Sequence, residues 1–314
     1  MELVNLVEQK VRLDSMIKID SEWQINEYLK LYREQLGSNV QTQLFQNELD
    51  QAHDAICDQL AQMRKVISDQ KKSIEHQISS KHQEYFDISK EIYDSGAQDS
   101  PEYIFDRYKN SPLFKDPDVF ELFISRIGLY TSWQKPGLQI HPLNGNITDY
   151  IKACDPLYLV DTDDQMLFYA KTLWNDKYQK RIAYYTMNEK ISNPLNQLPY
   201  NQFGFILCAS YFNYKPLDII VNFLKDFKQL LCDGGVAVFT YNNCSTPEGV
   251  DRVDKRFQTY VPKELLLEII KNLGFEIIKA VDASATASWI EIKKPGEIKT
   301  VKGGQTLAEI FSFS

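Results

Sequence analysis

The chain is poor in the residues that build disulfides and metal centres. Its 314 residues include five cysteines (Cys57, Cys154, Cys208, Cys232 and Cys244) and four histidines. The cysteines are odd in number and form neither a CxxC pair nor a metal-type spacing. This argues against a zinc site and for a reducing compartment. Long apolar runs are also missing: nowhere do 18 apolar residues follow one another, and the acidic, amphipathic N-terminus lacks a basic stretch leading into an apolar one. Those absences predict a soluble protein of the cytoplasm. Nor is there an excess of basic charge. The net charge is −8, and the first hundred residues carry 18 acidic against 11 basic side chains. Nucleic acid and membrane are therefore not expected as partners.

Proline is absent from the first hundred residues, which hold only two glycines, Gly37 and Gly96. Helix formers dominate, and Gly37-Ser38-Asn39 reads as a break before a second, longer helical region starting near Val40. There, Leu60, Ile67, Ile74 and Ile88 fall on seven-residue steps, with Leu49, Ile56 and Met63 as a companion series. Such a seam suits an intermolecular coiled coil, which would make the protein a homo-oligomer or dock it on a protein partner. It suits equally an antiparallel hairpin folded on the first helical region. The organisation expected is a helical oligomerisation or docking region over 1–95, a linker with short helices over 96–116, and an α/β domain over 117–314. Aromatic short helices at Tyr103–Tyr108 and Val119–Ile127 are expected to pack on the edge of the following sheet.

What is present is concentrated between Pro136 and Asp163. A strand (Leu138–His141), a turn with one glycine (Gly145), a helix from about Ile147 and a second strand (Pro156–Val160) ending on Asp161 form the opening of a nucleotide-binding βαβ unit. In such units a helix N-terminus faces the ligand and the acid takes ribose hydroxyls. Alternation continues with helix Asp164–Trp174 and strands Ile182–Thr186 and Phe203–Ala209. Helix Pro216–Leu231 follows, with Asp233-Gly234-Gly235 read as its glycine C-cap, then strand Val236–Tyr241 and helix Pro262–Leu273. Glu276–Val281 and Ser288–Ile292 close the chain as an antiparallel hairpin. The fold class is α/β: a Rossmann-like, mostly parallel seven-stranded sheet behind an all-helical N-terminal region.

The second half resembles the class I S-adenosylmethionine-dependent methyltransferases. FKQLLCDGGVAVFTY (Phe227–Tyr241) is similar to the family's helix, Gly-Gly turn and fifth strand, and YVPKELLLEIIKNLGFEII (Tyr260–Ile278) to the next helix and the entry to the sixth. NQLPYNQFGFILCASYFNY (Asn196–Tyr214) is similar to the Leu-Pro loop and fourth strand. The stretches FTYNNCSTPEGV and WIEIKKPGEIKTVKGGQTLAEI also resemble methyltransferase-like proteins of tailed phages, which implies a host cytoplasm or a virion as location. The resemblance covers roughly 117–310.

It implies S-adenosylmethionine as cofactor, with Asp161 on the ribose hydroxyls, Thr162 and Asp163 beside the adenosine, and His141, Asn144, Gly145 and Asn146 as the cofactor loop. Asn188 falls where an aspartate usually meets the adenine amino group, and Cys208, Ala209 and Ser210 where cofactor and substrate meet. The loop has one glycine where the family has several, and the carboxylate that the family carries in this loop for the cofactor's amino group has no counterpart at that place in the sequence. Two readings follow: a methyltransferase for a small-molecule or protein acceptor, or a structural or assembly protein whose α/β domain has lost the cofactor.

Individual residues carry similar alternatives. His141 is a base or a structural turn histidine. Tyr241, Asn242 and Asn243 form a substrate loop or a turn satisfied by asparagine side chains, and Tyr211, Phe212 and Tyr214 an aromatic wall or a core cluster. Trp133 and Trp289 read as packing residues. Gly303-Gly304-Gln305 is similar to the release-factor tripeptide, but its surroundings are not basic. No N-P-P-Y turn follows the fourth strand and no cysteine follows a proline, which excludes the amino-directed and carbon-5 nucleic-acid methyltransferases that need them. No catalytic residue and no metal ligand set can be assigned.

Overall fold

The computed structural model describes residues 2–17, 40–96, 112–143, 145, 147–284 and 287–297. The break at 37–39, the expected helix at 103–108, the tripeptide at 303–305, Asn144 and Asn146 lie outside the described residues. The chain divides into two compact units, 1–84 and 85–314.

In the first unit, α1 (Glu2–Ile17) and the long α2 (Val40–Gly96) are helical because proline is absent and apolar positions recur at helical spacing. Lys71 pairs with Asp14 at 2.5 Å and Lys81 with Glu2 at 3.0 Å. Position 2 thus meets 81 and position 14 meets 71, an antiparallel pairing within one chain with Leu3 and Val7 buried. The hairpin alternative is the one realised over this stretch. Among the described residues no helix is long and apolar enough to cross a membrane.

The second unit begins with the last turns of α2. It continues through α3 (Pro112–Lys115), α4 (Pro117–Gly128), β1 (Gly137–Ile140), β2 (Leu157–Asp161), α5 (Asp164–Thr172), α6 (Asp176–Gln179), β3 (Ile182–Thr186) and β4 (Phe203–Cys208). There follow α7 (Leu217–Leu230), β5 (Leu231–Tyr241), α8 (Pro247–Asp254), α9 (Lys263–Asn272), β6 (Glu276–Asp282) and β7 (Ser288–Lys293). The seven strands run in the order β3-β2-β1-β4-β5-β7-β6. All pairings from β3 to β5 are parallel, and β7 is antiparallel to both its neighbours. This is the Rossmann-like, mostly parallel seven-stranded sheet expected from the sequence, closed by an antiparallel hairpin.

Alternate strand residues feed two cores. Leu138, Ile140, Ile206 and Phe239 pack on one face with Ile220, Phe223 and Phe227 of α7. On the other, Leu159, Leu207, Val238 and Trp289 pack with Phe123 and Ile127 of α4 and Met166 of α5. Phe123 meets Trp289 edge-on at 5.3 Å, so α4, the described part of the aromatic region before the sheet, packs on its face rather than its edge. Arg126 reaches from α4 to the buried Glu291 of β7, with Nη2 2.5 Å and Nε 2.8 Å from the carboxylate oxygens. The Tyr130 hydroxyl donates to the same carboxylate.

Three expectations are corrected. The helix from Ile147 is a single 3-10 turn, Thr148–Ile151, whose Thr148 hydroxyl donates to the buried Gln139 at 2.7 Å. Asp155-Pro156 follows within five residues, leaving no length for an α-helix. Gly234-Gly235 is not a helix cap. α7 passes at Leu231 directly into β5, and the glycines lie in a bulged entry between the pairs Phe203–Leu231 and Phe205–Val236. A Cβ on Gly235 would stand 2.8 Å from the Phe203 carbonyl oxygen, so the requirement is close backbone approach. Trp133 is 73% exposed and packs no core, whereas Trp289 is fully buried as expected.

Candidate functional site

Parallel strands deliver their carboxyl ends to one edge, and β1 lies between β2 and β4 in register: Ile140 pairs with Val160 on one side and with Cys208 on the other. His141, Asp161 and Ser210 consequently stand at that edge, at the point where the chain switches sides. Backbone strain gathers there. Among the described residues five non-glycines have positive φ, and three of them are His141 (58°), Leu143 (51°) and Ser210 (55°). Each left-handed L-residue costs roughly 1–2 kcal/mol. Gly145 (φ 73°) adds a fourth left-handed position, and its N–H donates to the Pro142 carbonyl at 2.8 Å. His141 and Leu143 are thus held in conformations that glycine adopts at no cost.

The strain turns the His141 ring onto β2. Its Nδ1 lies 3.0 Å from Asp161 Oδ2, while Asp161 Oδ1 accepts the Thr162 N–H at 2.7 Å. Asp161 is 1% exposed. The other side of the His141 ring meets the Tyr211 ring, centroids 5.1 Å apart. Tyr211 is buried, and its hydroxyl donates to Glu189 Oε2. Lys215 Nζ lies 2.8 Å from Glu189 Oε1 and 2.7 Å from Oε2, and the Tyr93 hydroxyl donates to Oε1 at 2.8 Å. Burial pushes the Glu189 carboxyl up, but the Lys215 ammonium and the three hydrogen bonds outweigh it, holding the group below the usual range. Burial first, and then the Glu189 charge, raise both Tyr93 and Tyr211 far above the ordinary phenol, so both hydroxyls remain donors.

The loop after β4 is fixed by buried side chains. The Ser210 N–H donates to Thr240 Oγ1 at 2.6 Å, and that hydroxyl donates to Asn213 Oδ1 at 2.9 Å. Cys208 is fully buried, and burial pushes its thiol well above the ordinary range.

Of the residues expected at the site, the structure brings His141, Gly145, Asp161, Thr162, Ser210 and Tyr211 to this edge. Others have different work. Asp163 caps α5 by accepting the Gln165 N–H at 2.7 Å, and Asn188 closes a turn on the Lys190 N–H at 3.0 Å. Tyr241 is fully buried in the core. The buried Asn242 donates to the Gly249 and Thr259 carbonyls, both at 3.0 Å, so that turn is the one satisfied by asparagine. Phe212 is likewise core. Glu189, Lys215 and Tyr93 were not foreseen: Lys215 and Tyr93 lie 26 and 96 residues from Glu189, and no motif joins them.

For a nucleoside cofactor the donor set fits in part. A carboxylate oxygen has two acceptor positions, so Asp161 keeps capacity for a diol beside the donors it already has. Asp161 is nevertheless 1% exposed, with His141 on one oxygen and the Thr162 N–H on the other.

No protein-family model and no curated protein matches the chain. Among solved structures, it is similar to a SAM-dependent methyltransferase from Aquifex aeolicus at 15% identity, covering 62% of this chain and 98% of that one with a TM-score of 0.43. It is similar to the N-methyltransferase NodS from Bradyrhizobium japonicum WM9 in complex with S-adenosyl-L-homocysteine at 16% identity, covering 67% and 98% with a TM-score of 0.44. It is also similar to the [4+2]-cyclase SpnF at 11% identity, covering 57% and 83% with a TM-score of 0.45.

Proposed function

We propose that this chain is a cytoplasmic S-adenosylmethionine-dependent methyltransferase acting on a small-molecule or protein-borne acceptor, with the cofactor at the carboxyl edge of β1, β2 and β4. The observation that carries the reading is the set of left-handed residues in the turns after β1 (His141, Leu143) and β4 (Ser210), at the same sheet edge as the buried carboxylate Asp161, which His141 contacts at 3.0 Å. Strain of this kind persists where the surrounding structure imposes it, and functional sites are where it clusters. Asp161 would hold the ribose hydroxyls and the His141–Gly145 turn the amino-acid end. When bound, the cofactor supplies a methyl group on a positively charged sulfur. The chain's own part is to exclude water and align the acceptor, which for a nucleophile that needs no deprotonation is sufficient.

A second reading has one specific observation in its favour: Asp161 is 1% exposed, with both oxygens engaged by His141 and Thr162. On that reading the α/β unit is a cofactor-free scaffold in an assembly. Under either, we assign self-association to the N-terminal helices, supported by exposed Ile56, Met63 and Val66 on α2.

Calorimetric titration with S-adenosylmethionine and S-adenosylhomocysteine decides between them. The expected result is saturable heat that disappears in Asp161→Ala while the circular dichroism stays native. A folded wild-type protein giving no heat overturns the enzyme reading in favour of the scaffold.

A further inference from the structure

The last turns of α2 present one face, Tyr85, Ser89 and Tyr93, to the loops of the carboxyl edge. The Tyr85 hydroxyl donates to Asp254 Oδ1 at 2.7 Å, at the end of α8. Ser89 Oγ accepts the Tyr260 N–H at 2.7 Å, in the loop that follows α8. Tyr93 donates to Glu189 in the loop after β3. From Tyr85 to Tyr93 a helix rises ~12 Å. This single face therefore crosses the edge from the β5 side to the β3 side, and its far end lands on the residue that anchors Tyr211.

We propose that residues 85–96 are a latch over the cofactor edge, with the Glu189 carboxylate as its catch. Tyr93 and Tyr211 donate to different oxygens of that one carboxylate, and Lys215 neutralises its charge from 2.7 Å. The Tyr211 ring lies against the His141 ring, centroids 5.1 Å apart, and His141 Nδ1 lies 3.0 Å from Asp161 Oδ2. The helix end, the catch, the ring pair and the buried carboxylate form one continuous chain of contacts. Release at Tyr93 frees Tyr211, which lets His141 leave Asp161 and admits a ribose. The inference rests on the nucleoside-cofactor reading above and adds to it how the site is closed.

The test is S-adenosylhomocysteine affinity by calorimetry, alongside amide hydrogen exchange over residues 85–96, in wild type, Tyr93→Phe, Glu189→Gln and Asp161→Ala. Tyr93→Phe removes one hydroxyl and leaves the ring over Lys215, centroid 5.0 Å away, so the fold is retained. The expected result is faster exchange over 85–96 and affinity raised about tenfold, equivalent to ~1.4 kcal/mol, in Tyr93→Phe, with a gain of the same sign in Glu189→Gln. Added ligand should also speed exchange over 85–96 in wild type. Binding that is lost in Asp161→Ala but unchanged in Tyr93→Phe and Glu189→Gln overturns the latch and leaves the cofactor reading standing. Absence of binding in all four folded proteins overturns the cofactor reading, and the latch with it.

Discussion

Asp226 is a carboxylate inside the core. It lies on the buried side of α7, 3% exposed, and accepts one hydrogen bond, from the Leu195 N–H at 2.8 Å. Burial outweighs that bond and raises its pKa from 3.8 to about 6. Between those values the folded protein holds a proton that the unfolded chain has released, so stability falls as pH rises through the window. Two units correspond to ~3 kcal/mol lost at neutral pH. Asp226→Asn keeps an acceptor for Leu195 and carries no charge. It should raise the unfolding free energy by ~2–3 kcal/mol at pH 7.5, and the gain should vanish below pH 4, as read by denaturant titration across pH. Gly249 tests close approach in the same way. A Cβ there would stand 2.0 Å from the Asn243 carbonyl oxygen, whereas one on Gly128 meets nothing within 4 Å. Gly249→Ala should cost ~3 kcal/mol or more, since backbone cannot yield, and Gly128→Ala should be neutral or stabilising by up to ~1 kcal/mol. Paired thermal melts check both. Neither position announces itself in the sequence, because what matters is a neighbour far along the chain. The site follows the same rule: Asp161 was legible from its place at a strand tip, but its partner His141 lies twenty residues away across the sheet. Only the fold shows that the two meet.

Strands and helices were legible where one periodicity governed. The run Phe203–Cys208 is apolar throughout because both faces are covered, and α7 repeats large apolar residues on one stripe. The signal failed where tertiary contact overrode it. Ile147–Lys152 has a helical composition, but the Thr148–Gln139 bond and the nearby proline stop it after one turn. Gly234-Gly235 has the composition of a cap and serves instead as a bulge. The α4–β7 clasp shows what such contacts are worth. Glu291 is fully buried; burial pushes its carboxyl up, and bonds from Arg126, Tyr130 and Trp289 bring it below the usual range. Its pairing therefore contributes stability above the unfolded carboxyl pKa and loses it as pH falls through the folded value. Arg126→Met should cost ~3–5 kcal/mol at pH 7 by leaving a buried charge without its partner. The deficit relative to wild type should shrink on acidification, when Glu291 is protonated in the variant. A deficit independent of pH would assign the loss to packing of the arginine stem.

At the scale of the molecule, the question is what the long helix does with a face that is exposed among the described residues. Ile56, Met63 and Val66 fall at i, i+7 and i+10 and are 44%, 60% and 56% exposed, with Gln59 and Gln62 between them beside Ile67. These positions lie on one side of a helix. Ile56 and Met63 belong to the heptad series, whereas the ion pairs to α1 engage positions 71 and 81. One helix therefore carries an intramolecular stretch followed, towards its N-terminus, by an apolar stripe in water. Truncating the chain at residue 95 is a poor probe of that stripe, because it also removes Tyr85, Ser89 and Tyr93 from the α/β unit. Point charges are cleaner. If the stripe is a self-association seam, wild type should show a multiple of the single-chain mass in light scattering. Met63→Glu combined with Val66→Glu should return it to one chain without lowering the melting temperature of the α/β unit, since a desolvated glutamate at a seam is costly and an exposed one is not. An unchanged mass in the double variant would remove self-association from the helical arm and leave its terminal turns as the part that matters.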